Sequence, residues 1–163
     1  MPGEFYFMAM GGLGVSLAGF AGLIAALTPK KAAASPVTKW RITQIVVWSL
    51  QLTLIGFGIV ALYAIIEDAS TTARVASGAA ALIHVFRFRS NRPGAWPRES
   101  ERKQSQWFTA VITLVLAGNI FVGGVGYLHA IMIVLLFGPA SIFATGVREI
   151  FDDAFREAQG EHT

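Results

Sequence analysis

Long runs of apolar residues alternate with short charged segments along the chain. The first run extends from about residue 5 to 28 and ends at Pro29-Lys30-Lys31, and the second extends from about 42 to 66 and ends at Glu67-Asp68. About 20 apolar helical residues cross the ~30 Å hydrocarbon core of a bilayer. Each run is therefore predicted to form a transmembrane helix.

The C-terminal half contains an apolar stretch that is too long for one crossing. Residues 106–147 contain no Asp, Glu, Lys or Arg, and at ~1.5 Å per residue a straight helix of this length would be about twice the thickness of the bilayer core. The glycines of Val122-Gly123-Gly124-Val125-Gly126 admit positive φ, which favours a turn there. The pattern predicts spans at about 106–122 and 127–147.

A third span at about 70–87 is weaker, because its apolar segment VASGAAALIHVF lies between Arg74 and Arg87. Charge favours a crossing there. With residues 70–87 in the membrane, all 13 Lys and Arg residues except Arg74 fall on one side, and this bias marks the cytoplasmic face. We predict an all-α, polytopic transmembrane helix bundle of about five spans, with the N-terminus outside and the C-terminus cytoplasmic.

Composition supports a membrane protein. Hydrophobic residues make up 54% of the chain and charged residues 14%, whereas soluble domains contain about 25% charged residues. The predicted organisation is a bundle over 1–147, with a basic cytoplasmic loop at 87–105, and an amphipathic cytoplasmic tail at 148–163. The expected location is the cytoplasmic (inner) membrane of a bacterium. The basic pI is attributed to loops that attract anionic lipid headgroups rather than to nucleic-acid binding.

The stretch GGLGVSLAGFAG in the first span has two interpretations. Gly12, Gly14 and Ala18 partly match a dinucleotide-binding fingerprint, but that motif requires a preceding buried strand, and no Lys follows to make a phosphate-binding loop. On a helix, small residues spaced by four share a face that lets another helix approach closely. The predicted helix-packing residues are Gly14, Ala18, Gly22 and Ala26.

Polar residues inside the spans are the other candidates. Gln44 and Gln51 share a face of the second span with Trp48, and Asn119 is a second deep amide. Interhelical hydrogen bonding is the favoured role of these amides, with a lined polar pathway as the alternative. Pro139 is predicted to kink the last span. The remaining intramembrane candidates, His84 and His129, are expected near opposite faces, too far apart for one metal site.

The tail places Ile150, Phe151 and Phe155 on one helical face and acidic residues on the other. Because an acidic helix is repelled by anionic lipid, we expect the tail to dock on the Arg-rich loop of the same or a neighbouring subunit.

Three segments, SLAGFAGLIAAL, Lys39-Trp40-Arg41 and YLHAIMIVLLFGPASIFATGVREIF, resemble a group of small, uncharacterised bacterial multi-pass membrane proteins that carry an N-terminal AGFAGL segment. The resemblance implies a membrane topology and no particular activity.

No set of residues in the sequence points to catalysis. No ionisable Asp, Glu, Lys or Arg is expected in the middle of a span, the chain has no cysteine, and no catalytic, cofactor-binding or metal-ligating motif is found. The sequence therefore favours a structural, accessory or interaction component of a membrane complex, assembled with copies of itself or another membrane protein. The alternative is a small oligomeric channel or facilitator lined by Gln44, Gln51 and Asn119 and gated at Pro139.

Overall fold

A computed structural model describes residues 1, 3–28, 36–90 and 99–158 of the chain. The described residues form five α-helices and no strand, which confirms the all-α prediction. The helices are α1 (Glu4–Leu27), α2 (Pro36–Ile66), α3 (Ala69–Ser90), α4 (Glu99–Val122) and α5 (Val125–Ala158).

Within the described residues, four helical segments are long and apolar enough to cross a membrane: Glu4–Ala26, Pro36–Ile66, Ser105–Val122 and Val125–Thr145. Large apolar side chains cover the outside of this bundle, as in Phe5, Leu114 and Phe121, which are 84%, 75% and 80% exposed. Such a surface is unstable in water and suited to lipid. The chain is an integral membrane protein.

α1 and α2 pack antiparallel with very close backbones. A Cβ atom placed on Gly14 would lie 2.5 Å from Thr53 Oγ1 and 2.6 Å from Ser49 O, and one placed on Gly56 would lie 3.0 Å from Gly11 N. Thr53 Oγ1 also donates a hydrogen bond to Gly11 O at 3.1 Å. The glycines therefore remove the side-chain bulk that would hold these two helices apart.

The predicted packing face of α1 follows this contact only at its beginning. Gly14 is buried against α2 and Ala18 is half-buried, but Gly22 and Ala26 are exposed, and a Cβ on Gly22 would meet nothing within 4 Å. Residues spaced by four drift by about 40° per step around a helix of 3.6 residues per turn, so the stripe rotates away from α2. The buried apolar residues of α1 are Phe7, Met10 and Ala21.

The α2–α3 turn consists of Glu67 and Asp68. Glu67 has a left-handed φ of 60°, and its N–H donates to Tyr63 O at 2.8 Å, which closes the end of α2. Asp68 Oδ2 accepts the backbone N–H of Thr71 at 2.6 Å and so caps the start of α3. This hydrogen bond holds the pKa of Asp68 below its ordinary value.

The α4–α5 turn lies at Gly123 and Gly124, within the segment predicted to turn. Gly123 has a φ of 70°, a conformation that glycine adopts without strain. A Cβ on Gly123 would also collide with Ser70 Oγ in the first turn of α3. The turn therefore needs glycine for both its backbone conformation and its close approach to α3.

α5 continues through Pro139, where Ser141 Oγ donates to Gly138 O at 2.9 Å. The kink at Pro139 stays a prediction. The helix also continues past the predicted boundary at 147/148 as far as Ala158. The tail side chains that would dock on the Arg-rich loop lie outside the described residues, as do residues 91–98 of that loop.

α3 runs antiparallel to both α2 and α4. Its first turn contacts the α4–α5 turn through Ser70 and Gly123, and its last third reaches the middle of α2 through His84 and Gln51. Its 22 residues correspond to ~33 Å at ~1.5 Å per residue, close to the thickness of the bilayer core. The length of α3 therefore matches the thickness of a membrane that α2 and α4 cross.

Candidate functional site

Helix α3 carries a row of buried polar side chains that faces its neighbours. Thr72, Ser77 and His84 have no exposed surface, whereas Leu82 and Phe86 on the outer side are 61% and 70% exposed. The helix thus turns small and polar residues toward protein and large apolar residues outward. This arrangement explains why its average hydropathy is too low for a membrane span although its outer surface suits lipid.

The first polar contact of this row joins α3 to α2. Gln51 Nε2 lies 3.1 Å from His84 Nε2, and both side chains are buried. The amide nitrogen donates and the ring nitrogen accepts, so this hydrogen bond requires the tautomer of His84 in which Nε2 is unprotonated. Two residues predicted separately as intramembrane polar groups are therefore paired.

The second polar contact joins α3 to the α4–α5 turn through Asn119. Its Nδ2 donates to Ser77 Oγ at 2.8 Å, and its Oδ1 accepts the N–H of Gly124 at 2.9 Å. The backbone carbonyl of Asn119 accepts the N–H of Gly123 at 2.8 Å. One buried amide of α4 thus bonds both to helix α3 and to the α4–α5 turn, which matches the role of interhelical hydrogen bonding.

Gln44 has a different role from Gln51, although both lie on α2. Gln44 Oε1 accepts a hydrogen bond from Trp48 Nε1 at 3.2 Å. The Trp48 indole lies over Gly138 of α5, where an added Cβ would be 3.1 Å from the ring, and its ring centroid is 6.1 Å from that of Phe108 in α4. These contacts bring α2, α4 and α5 together around one aromatic side chain.

A cleft of about 390 Å³ lies above this aromatic floor. Its deeper part is lined by Trp48, Phe108 and Gly138, and Phe137 at its side is 73% exposed, so the cleft reaches the outer surface of the bundle. A lateral opening of this kind faces the hydrocarbon region of a surrounding bilayer.

The other end of the cleft is polar. Arg41, Ser141 and Thr145 line it, together with Ser105, whose Oγ is buried and has no hydrogen-bond partner. The first residues of α2 and the last apolar residues of α5 meet here, at the end of the bundle that carries the basic segments. Among the described residues that line the cleft, Arg41 is the charged one.

His129 lies at the opposite end of the bundle, beside the start of α1. Its ring stacks on Phe7 with centroids 4.6 Å apart, meets Tyr6 edge-to-face at 4.6 Å, and leaves no room for a side chain at Gly3. Tyr6 Oη donates to His129 O at 2.9 Å, and His129 Nε2 is buried without a hydrogen-bond partner. His129 and His84 thus sit in separate environments, and the described residues contain no group of three potential metal-binding side chains.

Sequence reasoning missed Ser77, Ser105 and the cleft. Ser70, Ser77 and His84 follow one another at intervals of seven residues, which places them on one helical face, and this signal could have identified the inner side of α3. The cleft had no comparable signal, because its walls come from three helices that are distant in sequence.

Comparison of the chain with protein-family models, with curated proteins and with solved structures finds no match.

Proposed function

We propose that this chain is a multi-pass protein of a bacterial cytoplasmic membrane that acts as a structural or accessory component of a membrane complex. In this proposal α3 crosses with the other four helices, the N-terminus is outside and the basic segments are cytoplasmic. The proposal assigns the chain no catalytic activity of its own, and it is consistent with the resemblance to small bacterial multi-pass proteins.

The observation that carries the proposal is the outward side of α1. α1 packs on α2 and on part of α5, which leaves one side facing away from the bundle. Cβ atoms placed on Gly12, Gly19 or Gly22 would meet nothing within 4 Å. Glycine gives no benefit against lipid, but it allows a close approach by a helix from another subunit.

The buried amides also favour a structural role over the alternative of a channel. Gln51 and Asn119, which would line a pathway, are bonded to His84 and Ser77 between packed helices. Gln44 is bonded to Trp48. A conducting pathway would need these groups to face water, so the channel or facilitator has weaker support.

The absence of cysteine from the chain allows a direct test of assembly. A Ser16→Cys variant, at an exposed position of α1, is labelled in native membranes with a thiol-linked photo-crosslinker. We expect a discrete protein adduct of constant mass, either a second copy or one other membrane protein. Leu114→Cys, on the exposed side of α4, is the matched control and should label lipid.

Adding Gly19→Leu to the Ser16→Cys variant should abolish the adduct, because the larger side chain blocks the close approach of another helix to α1, whereas adding Gly118→Leu, on α4, should leave it. A Cβ at either glycine would meet nothing within 4 Å among the described residues, so the two substitutions are matched within the chain. Lipid labelling alone from Ser16→Cys would refute the proposal.

A further inference from the structure

We propose that the cleft between α2, α4 and α5 binds the ring of an uncharged isoprenoid quinone, with one ring carbonyl at Ser105 and the isoprenoid chain leaving the protein past Phe137. The proposal concerns binding alone and includes no redox step. The site is separate from the outward side of α1, so it does not depend on assembly with a partner.

The cleft offers no free charge to a ligand. Arg41 lines its polar end but already has an interaction partner within the protein. No described residue that lines the cleft is acidic. Because a charged group that leaves water without a free counter-charge is strongly unfavourable, these walls favour an uncharged molecule over a lipid with a charged headgroup.

One hydroxyl at the polar end is available for a hydrogen bond to a ligand. Two of the three hydroxyls among the described lining residues already donate to backbone carbonyls of α5, Ser141 Oγ to Gly138 O and Thr145 Oγ1 to Ser141 O, each at 2.9 Å. The third, Ser105 Oγ, is buried and has no partner. An unpaired buried hydroxyl is unfavourable, and a ligand carbonyl, which accepts a hydrogen bond without donating one, would satisfy it.

The deeper part of the cleft is aromatic. Trp48 and Phe108 line it with ring centroids 6.1 Å apart, and Gly138 adds no side chain that would narrow it. Trp48 Nε1 is held by Gln44 Oε1, so the indole is ordered before a ligand binds. Planar rings pack favourably against aromatic side chains, and the volume of about 390 Å³ falls within the ~300–1,000 Å³ typical of small-molecule sites.

The open side of the cleft suits an apolar chain. Phe137 at that side is 73% exposed, and the opening faces the hydrocarbon region of the bilayer. A chain attached to a ring that is bound at Ser105 would therefore lie in lipid. A quinone combines the properties that these walls favour, namely no charge, a planar ring with carbonyl acceptors and an apolar chain.

Two tryptophans in the cleft make binding measurable by fluorescence. Trp40 and Trp48 line it, and the cleft reporter, Trp96→Phe with Trp107→Phe, removes the other two tryptophans of the chain. The control reporter retains Trp107 alone, which is 74% exposed on α4 and is not among the residues that line the cleft. Each full-length reporter is reconstituted into phosphatidylcholine vesicles and titrated with a ubiquinone that carries two isoprene units. A quinone quenches an indole that it touches.

We expect saturable quenching of the cleft reporter and a gradual decrease without saturation for the control reporter, which meets only quinone dissolved in the bilayer. An excess of the isoprenoid alcohol of the same chain length, which lacks the ring, should not relieve the quenching.

Ser105→Ala in the cleft reporter should weaken binding about fivefold, which corresponds to one hydrogen bond of ~1 kcal/mol. Ser141→Ala is the matched control, because it removes a hydroxyl of the same cleft whose proton is already donated to Gly138 O. This variant should leave the dissociation constant unchanged.

The comparison of the two reporters leaves Ser105 in place, so it tests the site even if Ser105→Ala fails to fold. Quenching without saturation in both reporters would overturn the proposal and indicate ordinary contact with quinone in the bilayer. Relief of the quenching by the isoprenoid alcohol would also overturn it, since the cleft would then recognise the chain and not the ring. Equal weakening by Ser105→Ala and Ser141→Ala would contradict the hydrogen bond from Ser105.

Discussion

Gln51 Nε2 and His84 Nε2 lie 3.1 Å apart in the buried region between α2 and α3. The contact links two helices that are connected by a turn of two residues, at a point remote from that turn. It therefore fixes the rotation of α3 against α2 along most of their shared length.

A double-mutant cycle tests this contact. Gln51→Leu and His84→Leu each remove one partner, and we expect a coupling free energy of about 0.6 kcal/mol, the average for hydrogen bonds between membrane helices, and of at most about 1.7 kcal/mol. The measurement is reversible unfolding in mixed micelles. Strictly additive effects would mean that the two side chains act independently, as expected if Gln51 faced a water-filled pathway.

Substitution of Asn119 should destabilise the protein more than substitution of Ser77, although the two residues share a hydrogen bond. Ser77→Ala removes one bond and should destabilise the protein by about 1 kcal/mol, whereas Asn119→Leu also leaves the Gly124 N–H without its acceptor and should cost about 2–3 kcal/mol. Unfolding of the two variants under identical conditions provides the comparison. Equal losses would contradict the assignment of Asn119 to both α3 and the turn.

The same substitution should destabilise the protein at one glycine of α1 and have no effect at another. Gly14→Ala forces a methyl group toward Ser49 O and Thr53 Oγ1, and we expect a loss of roughly 1–3 kcal/mol from overpacking. Gly22→Ala meets open space and should leave the stability of the isolated chain unchanged. Thermal unfolding of purified protein measures both, and comparable destabilisation by the two variants would argue against this placement of α1.

Acid should weaken the start of α3 through Asp68. The Thr71 N–H holds the pKa of Asp68 in the folded state below its ordinary value, so its stabilising effect is present above the unfolded pKa, about 4, and is lost as pH falls through the folded pKa. Asp68→Asn retains the capping oxygen but does not titrate. The stability difference between wild type and this variant should therefore change between about pH 6 and about pH 3, with wild type losing more. If the stability difference between wild type and Asp68→Asn stayed constant over this pH range, the cap could not be the cause of the acid sensitivity.

The sequence predicted features that depend on local chemistry. The glycine-rich turn after Val122 and the apolar runs follow from backbone freedom and from the thickness of a bilayer, so they could be placed within a few residues. Asn119 could be identified as a buried amide for a similar reason, because an amide in an apolar run needs a partner.

Features that depend on how helices cross could not be predicted in the same way. The four small residues of α1 share a stripe by spacing, but the direction of α2 determines where that stripe leaves the contact, at Ala18 rather than Ala26. The pairing of Gln51 with His84 likewise requires the rotation of α3. The cleft beside Trp48 depends on three such rotations at once.

The inward orientation of polar groups on α3 has a consequence for how the protein is made. A segment that carries Ser77 and His84 gains little by entering lipid alone, because these two side chains find their hydrogen-bond partners on α4 and α2. In the proposed topology, in which α3 crosses the membrane, we expect α3 to be retained in the translocation channel, or at its edge, until α4 has been synthesised. The two helices would then enter the bilayer together as a hairpin, and the ribosome would already have passed Asn119 when this happens.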